Sequence, residues 1–449
     1  MKRKERPYGI TSGGEKLAYA LGDLGSNFVW SFISSYLTMY YTDSVLLPTA
    51  LLGTIMLVTR ILDGFSDVAA GILIERTRTK MGKARPWFGI SIIPLVISQL
   101  LVFNVPSSLG TSGKLIWVVI TYFLLTVVFY TVNNLSYHAM LSRFSLDGED
   151  RNKVSSLRGV FAFLAGLVLA IVTPSLLAAN GGMKVQASWT TVALLYSVLC
   201  LVLEGICFFG CKEKISCFDE EAKEKKAKPD LSKGLNMLLN CKYFYISIII
   251  FIVVYIVNGM SLAVALYYTR DVLGNEDLYS LIAIGSVFAT VIGLAVSPKL
   301  IKSMGKKKAL ILGSILGIAG CVIGLVGARN FILVLVAKIV AGLGLAPYVA
   351  GIFTFAPDIV ELLEKKSGAR YEGLVTAVNS VGIKIGTGLA SAFILWGLSI
   401  GKYDATLAVQ PESAVVTEII LMFGVPIVMH LICILCMGSW DLEKKLKEQ

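Results

Sequence analysis

Apolar residues fall in long blocks along this chain, not in the narrow stripes of amphipathic surface helices. The segments FGISIIPLVISQLLVFNV (88–105) and YFYISIIIFIVVYIVNG (243–259) contain no charged side chain. Runs of about 18 to 20 such residues cover the roughly 30 Å of hydrocarbon in a bilayer. Blocks of this kind predict spans over 23–44, 49–74, 87–105, 115–141, 156–178, 188–210, 243–268, 279–300, 308–326, 330–356, 372–398 and 414–437. The expected fold class is an all-α membrane protein with twelve transmembrane helices.

An even number of spans puts both termini on one side, and the polar segments between them indicate which side. ERTRTKMGKARP, SRFSLDGEDRNK, CKEKISCFDEEAKEKKAKPDLSKG, KLIKSMGKKKA and ELLEKKSGARYEG crowd Lys and Arg. The alternate loops, such as TDSVLLPTA and AANGGMKVQAS, are sparse in them. The positive-inside rule predicts that both termini and the basic loops are cytoplasmic in a multi-pass plasma-membrane protein.

The chain also repeats itself. KMGKAR begins at Lys80 and SMGKKK at Ser303, about half the chain later, each in the loop after the second predicted helix of its half. The predicted organisation is an N-terminal six-helix half (1–210), a charged cytoplasmic linker (211–242) and a C-terminal six-helix half (243–449). Parallel half-repeats are a transporter feature, with substrate held near the midplane between the halves. The linker reads as a solvated tether, with a regulatory role as the alternative.

Composition agrees with the pattern. The 449 residues are 55% hydrophobic and 16% charged, where soluble domains carry about a quarter charged. The net charge of +11 resides in the short loops, so topology explains it and no nucleic-acid partner is expected. Eight Cys in helices or cytoplasmic segments imply no disulfide framework. Cys433 and Cys436 form a CxxC inside the last span, read as packing residues, with redox or metal chemistry as the alternative. The basic N-terminus lacks a cleavable signal pattern. There is no GxxxxGK[ST] loop, no HExxH and no GxSxG, so neither direct ATP drive nor a membrane hydrolase is expected. No catalytic residue and no cofactor are assigned.

The most informative residues are acidic. Asp63 and Asp67, in TRILDGFSDVAAGI, are four apart and share a helix face inside the second span. A carboxylate near the middle of a span costs about 2.5–3.5 kcal/mol on insertion scales, and two on one face repel. A bound Na⁺ or a proton relieves both penalties, and Ser66 and Thr131 offer hydroxyl oxygens to the same site. A structural ion pair with Arg60 or a neighbouring basic residue is the alternative. In the first span Asp23 and Asn27 are four apart, with Gly22 and Gly25 permitting close helix approach. Asn27 offers a donor and an acceptor to a hydroxyl-rich ligand. In YTVNNLSYHAML, Asn134 and His138 share a face with Thr131 one turn earlier. His138 reads either as an interhelical donor or as part of a ligand site, and His430 as structural. Lys384 is a cation deep in an apolar span, a functional-site candidate by default. Snorkelling is the alternative for Arg158. Glu204 and Lys338 are intramembrane charges with no motif.

The loop residues Arg76, Arg78, Lys83 and Arg85 serve as topology determinants. A second role is to pair with Asp358, Glu361 or Glu372 and close a cytoplasmic gate, with Gly82 supporting a tight turn.

Several segments together resemble the glycoside–pentoside–hexuronide:cation symporter family, a branch of the major facilitator superfamily. They are YALGDLGSNF, YYTDSVLL, TRILDGFSD, RTRTKMGKARPW, YTVNNLSYHAML, APDIVE and ARYEGL, in family order over most of the chain. The resemblance implies that Asp63 and Asp67 are the cation-site aspartates, with Ser66 and Thr131 beside them. It also implies that Asn27, Asn134, His138, Arg158 and Lys384 line the sugar site. Relative to the family's melibiose permease, Asn27 and Asn134 replace carboxylates, His138 replaces Trp, Ser26 replaces Lys and Ser66 replaces Asn. The Asn pattern is similar to the xyloside and glucuronide members. Removing two anions leaves Arg158 and Lys384 unopposed, which suits a hexuronide, while amides equally suit a neutral glycoside. The implied function is secondary symport of a sugar with Na⁺ or H⁺ by alternating access, in a bacterial cytoplasmic membrane, by a chain working as a monomer. The partners expected are a small sugar, the coupling cation and the lipid bilayer. A same-fold carrier for a lipid or other amphiphile, and a sugar sensor that moves nothing, are the alternatives.

Overall fold

Apolar blocks of this length can cross hydrocarbon only if each backbone N–H and C=O is bonded within the segment, which a helix achieves. The computed structural model describes residues 10–145, 147–214, 231–368, 371–443 and 445; among these the regular structure is helical, apart from one isolated bridge between Thr79 and Gly82. In chain order the helices are α1 Gly13–Met39, α2 Thr49–Arg76, α3 Arg85–Val102, α4 Thr111–Phe144, α5 Gly148–Ala179, α6 Gln186–Gly210 and α7 Leu231–Leu239. They continue as α8 Lys242–Asp271, α9 Leu278–Met304, α10 Lys306–Val326, α11 Phe331–Gly351, α12 Phe355–Ser367, α13 Glu372–Ile400 and α14 Glu412–Gly438.

Among the described residues ten helices are long and apolar enough to cross a membrane, and each coincides with an apolar block of the sequence. The remaining long helices, α1 and α2, have 27 and 28 residues. At 1.5 Å per residue that is about 40 Å, enough to span, and they bear Asp23, Arg60, Asp63 and Asp67. The sequence sets the helix ends locally. Ser12 Oγ accepts from Glu15 N at 3.0 Å while Glu15 accepts from Ser12 N at 2.6 Å, a capping box for α1. Asp147 caps α5 and Asn330 caps α11 in the same way. Pro86 sits in the first turn of α3, where its missing N–H costs nothing.

The chain divides into two compact units, Met1–Leu47 with Leu62–Lys226 and Pro48–Ile61 with Ala227–Gln449. In the first, α1 packs on α6 through its glycines. A Cβ on Gly22 would lie 2.8 Å from Cys207 Sγ, and one on Gly25 would lie 3.2 Å from the Cys200 carbonyl oxygen. Helices α1 and α4 are joined by a reciprocal pair. Tyr19 OH donates to the Tyr137 carbonyl at 2.8 Å, Tyr137 OH donates to the Tyr19 carbonyl at 2.6 Å, and the rings stack 4.3 Å apart.

The second unit uses small residues where α10 meets α11. A Cβ added to Gly313 or Gly320 of α10, or to Gly344 of α11, would overlap the backbone of the facing helix, the usual way apolar helices associate in lipid. The His430 ring of α14 covers Gly317. Cys433 and Cys436 are free thiols in α14. The segment expected as a tether contains α7, whose Gly234 packs on the Tyr371 ring. Beyond α14, Lys242 at 2.8 Å and the Tyr243 hydroxyl at 2.6 Å hold the Asp441 carboxyl well below the usual carboxylate range.

Candidate functional site

The first unit brings the predicted acidic residues and hydroxyls together. Asp63 on α2 is 2% exposed. Thr131 Oγ1 on α4 lies 2.6 Å from Asp63 Oδ1 and donates to it. Ser66 Oγ stands 3.3 Å from Thr131 Oγ1 and 3.5 Å from Asp63 Oδ1, and donates to the Asp63 carbonyl at 2.8 Å. Three oxygens of three side chains thus share one small volume inside the span, an arrangement of hard ligands for Na⁺ or of acceptors for a proton. Asp67 follows one turn later and is half-buried. The alternative partner named from sequence, Arg60, belongs to the Pro48–Ile61 segment of the second unit, where Gly388 admits its side-chain stem.

The backbone of α4 prepares Thr131 for this contact. Leu124–Tyr130 is π-helical, so α4 is wound more loosely just before Thr131, whose hydroxyl also lies 3.1 Å from the Thr126 carbonyl. Single π-turns of this kind recur at functional sites. No residue pattern in the apolar stretch LLTVVFY signals it.

One turn further along α4 a second cluster begins. Asn134 Nδ2 is 3.5 Å from the Tyr130 hydroxyl, and the Tyr130 ring stacks on Trp30 of α1 at 4.7 Å. Arg158 Nη1 of α5 is 2.7 Å from His138 Nδ1. A guanidinium only donates, so this imidazole nitrogen accepts and carries no proton. Arg158 Nε is 4.0 Å from Asp23 Oδ1. Asn27 Nδ2 donates to the Asp23 carbonyl at 2.8 Å and to its carboxylate at 3.2 Å. Asn27, Arg158 and His138 therefore join one polar network through Asp23, and Asn134, bonded to Tyr130, lies one turn before His138 on the same face of α4. The Trp30–Tyr130 stack, which gives that network an apolar wall, was not singled out in sequence. Lys384 lies on α13 of the second unit, half-buried, its carbonyl accepting from Thr387 at 3.1 Å.

Of the residues proposed as a gate, Gly82, Arg85, Asp358 and Glu361 make contacts within their own units. Gly82, with φ of +112°, lies under the Glu213 carboxylate. Glu213 accepts from the backbone N–H groups of Lys83 at 3.1 Å, Ala84 at 2.8 Å and Arg85 at 2.8 Å, and from Arg143 Nε at 2.5 Å. Arg85 donates to the Phe208 carbonyl at 2.8 Å, and Lys83 Nζ pairs with Glu75 at 2.8 Å. In the second unit Asp358 pairs with Lys306, and Glu361 lies 3.4 Å from Lys365. Arg78 lies in the turn between α2 and α3. The Glu372 side chain lies outside the described residues. Glu213 is the residue that sequence reading passed over; its place straight after α6, in a charged segment, made it look like one of many solvated charges.

Comparison with known proteins gives the family and the fold. The family model described as MFS/sugar transport protein matches residues 18–444. The Uncharacterized symporter YnaJ of Bacillus subtilis (strain 168) is 31% identical over 441 residues, covering 96% of this chain and 92% of its own. The Isoprimeverose transporter of Lactiplantibacillus pentosus is 29% identical, covering 89% of this chain and 82% of its own. In fold the chain is similar to the crystal structure of a D-xylose-proton symporter, with a TM-score of 0.66 at 14% identity, covering 97% of this chain and 99% of that one. These are membrane transporters and not enzymes. Since the family match leaves only short ends of the sequence uncovered, the chain is a multi-pass membrane protein of the major facilitator superfamily and belongs to the MFS/sugar transport protein family.

Proposed function

We propose that this chain is a secondary symporter that couples inward movement of Na⁺ or H⁺ to uptake of a sugar of the glycoside, pentoside or hexuronide class, by alternating access. One observation carries the reading. The Asp63–Thr131–Ser66 oxygens and the Asn134–His138–Arg158 network are anchored on the same face of α4, one helical turn apart. A cation at Asp63, with Asp67 as its second carboxylate, holds the Thr131 turn in place. That same turn sets the height of Asn134 and His138 for the sugar. Coupling of this kind is reciprocal, so sugar raises cation affinity by the factor by which cation raises sugar affinity.

The sugar network alternates donors and acceptors, as a polyol requires. The stacked Trp30 and Tyr130 rings supply a flat apolar surface for a pyranose face. The Isoprimeverose transporter of Lactiplantibacillus pentosus, a relative along most of the chain, supports a glycoside. Arg158 is already opposed by Asp23 and bonded to His138, which favours a neutral sugar over a hexuronide. Lys384 enters the reading through the family resemblance. The two six-helix halves flank a central linker at 211–242, both termini are cytoplasmic in the plasma membrane, and the monomer is the working unit. In this reading Arg78, Gly82, Arg85, Asp358, Glu361 and Glu372 set the cytoplasmic gate.

Uptake into right-side-out vesicles tests the reading. Labelled xylosides, glucuronides and galactosides are offered with a Na⁺ gradient and, separately, with a proton gradient. Accumulation of one sugar class under one gradient is expected, and Asp63→Asn should abolish it. Equal accumulation by the Asp63→Asn variant would overturn the cation role.

A further inference from the structure

Outside the two clusters, the first unit buries an ionisable side chain that has no part in the proposed mechanism. Glu204 on α6 is completely buried. Its Oε2 accepts from Asn133 Nδ2 of α4 at 2.8 Å. Its Oε1 has no hydrogen-bond partner among the described residues, and neither has Asn133 Oδ1. These two side chains, already in contact, thus leave two acceptor oxygens without a donor between them.

Among the described residues the surroundings provide no compensating cation. On α1 the nearest charge is Asp23, another carboxylate, and a Cβ on Gly25 would stand 3.2 Å from Glu204 Cγ. On α6 itself the neighbours are the thiols of Cys200, a weak S–H donor to the carboxylate, and Cys207, neither of them a cation. On α4 the Tyr137 hydroxyl is committed to the Tyr19 carbonyl. Arg158 of α5 faces Asp23 and His138. Helix α3 brings only Arg85, at its first residue, bonded to the Phe208 carbonyl. An ionised carboxylate here would be a buried, uncompensated charge, which proteins avoid by neutralising the group.

We propose that Glu204 is a proton-binding site separate from the Asp63 cluster. Held as the neutral acid, it accepts from the Asn133 amide nitrogen and donates through Oε1 to the Asn133 carbonyl oxygen. One proton supplies the donor for both orphaned oxygens and closes a paired acid–amide ring between α6 and α4. Asn133 is adjacent to Asn134 on α4, and Gly25, which packs on Glu204, lies between Asp23 and Asn27 on α1, so the protonated pair steadies two of the helices that carry sugar-site residues. Glu204 acts there as a positioning residue.

Infrared difference spectroscopy of the purified protein in lipid nanodiscs tests this without requiring transport, so its result stands apart from the symport reading. At pH 7, where a free glutamate of pKa about 4.3 is ionised, the wild type should show a protonated-carboxyl C=O band. Glu204→Gln should lose that band, and Asn133→Leu should shift it as the pairing amide disappears. Glu204→Gln keeps both halves of the ring, so it should fold and melt at or above the wild-type temperature, by a margin that widens as pH rises. A neutral-pH spectrum unchanged by Glu204→Gln would overturn the proposal. So would failure of the neutral amide to replace the side chain in a folded protein.

Discussion

Glu213 rests its carboxylate directly on the Cα of Gly82, so closely that no Cβ fits between them. Gly82 also has a φ of +112°, a region that side-chain-bearing residues rarely adopt. Both effects act against any substitution. Gly82→Ala is expected to destabilise by about 1–3 kcal/mol, the usual cost of a strained backbone position. Thermal melting in detergent should show it, and Gly82→Ala with an unshifted transition would mean that the loop relaxes freely.

The same carboxylate gathers three backbone donors at the start of α3 and the Arg143 guanidinium at the end of α4. Its side chain is 1% exposed. Removing one partner of a buried pair leaves the other uncompensated, at a cost of about 3–5 kcal/mol. Glu213→Ala should therefore melt far below wild type, and Glu213→Gln, which keeps an acceptor oxygen, should fall between. Arg143→Met combined with Glu213→Gln should recover part of the loss in the same melting assay.

The turn after the second helix of each half shows what the sequence made legible. The repeated MGK predicted equivalent turns, and Gly82 and Gly305 both have positive φ. The sequence also put Asp63 and Asp67 on one helix face and offered Thr131 as a hydroxyl for the same site, and the Thr131 hydroxyl does lie 2.6 Å from Asp63. What it did not reveal lies where local pattern is uninformative. The π-turn at Leu124–Tyr130 runs through uniformly apolar residues, and α7 lies in a segment dominated by charge. Glu213 was hidden because its backbone donors come from a loop more than a hundred residues earlier. Trp30 looked like one more apolar side chain until Tyr130 was found stacked on it.

Thr131 offers a sharper test of the cation cluster than the carboxylate itself. Thr131→Val keeps the branched shape and removes the hydroxyl 2.6 Å from Asp63. Hydrogen bonds to charged groups contribute about 1.5–3 kcal/mol, so cation affinity should fall about tenfold or more. The concentration of Na⁺ or H⁺ giving half-maximal sugar uptake reads this directly. Sugar counterflow at saturating cation should survive. Unchanged cation dependence would remove Thr131 from the ligand set.

Arg158 makes a directional contact to His138 at 2.7 Å and faces Asp23 at 4.0 Å, which a compact ammonium cannot reproduce together. Arg158→Lys should preserve folding and charge yet weaken sugar binding about tenfold, comparable to one charge-assisted hydrogen bond. Equilibrium binding of the preferred glycoside measures it, with the melting temperature as control. Wild-type affinity in that variant would reduce Arg158 to a snorkelling residue.

Lys338 of α11 presents the opposite problem to a paired charge. Its ammonium is buried, with Ser261 of α8 supplying the hydroxyl at 2.8 Å and the backbone carbonyl at 3.2 Å. Two neutral acceptors compensate such a charge only in part, and an apolar side chain of similar length often does as well or better. Lys338→Met is expected to melt at or above the wild-type temperature. Ser261→Ala should cost about 1.5–3 kcal/mol when Lys338 is present, because the ammonium loses its hydroxyl. In the Lys338→Met background the same change should cost almost nothing, a double-mutant coupling that isolates the contact. If Ser261→Ala were equally damaging in both backgrounds, Ser261 would be serving helix packing rather than the buried ammonium.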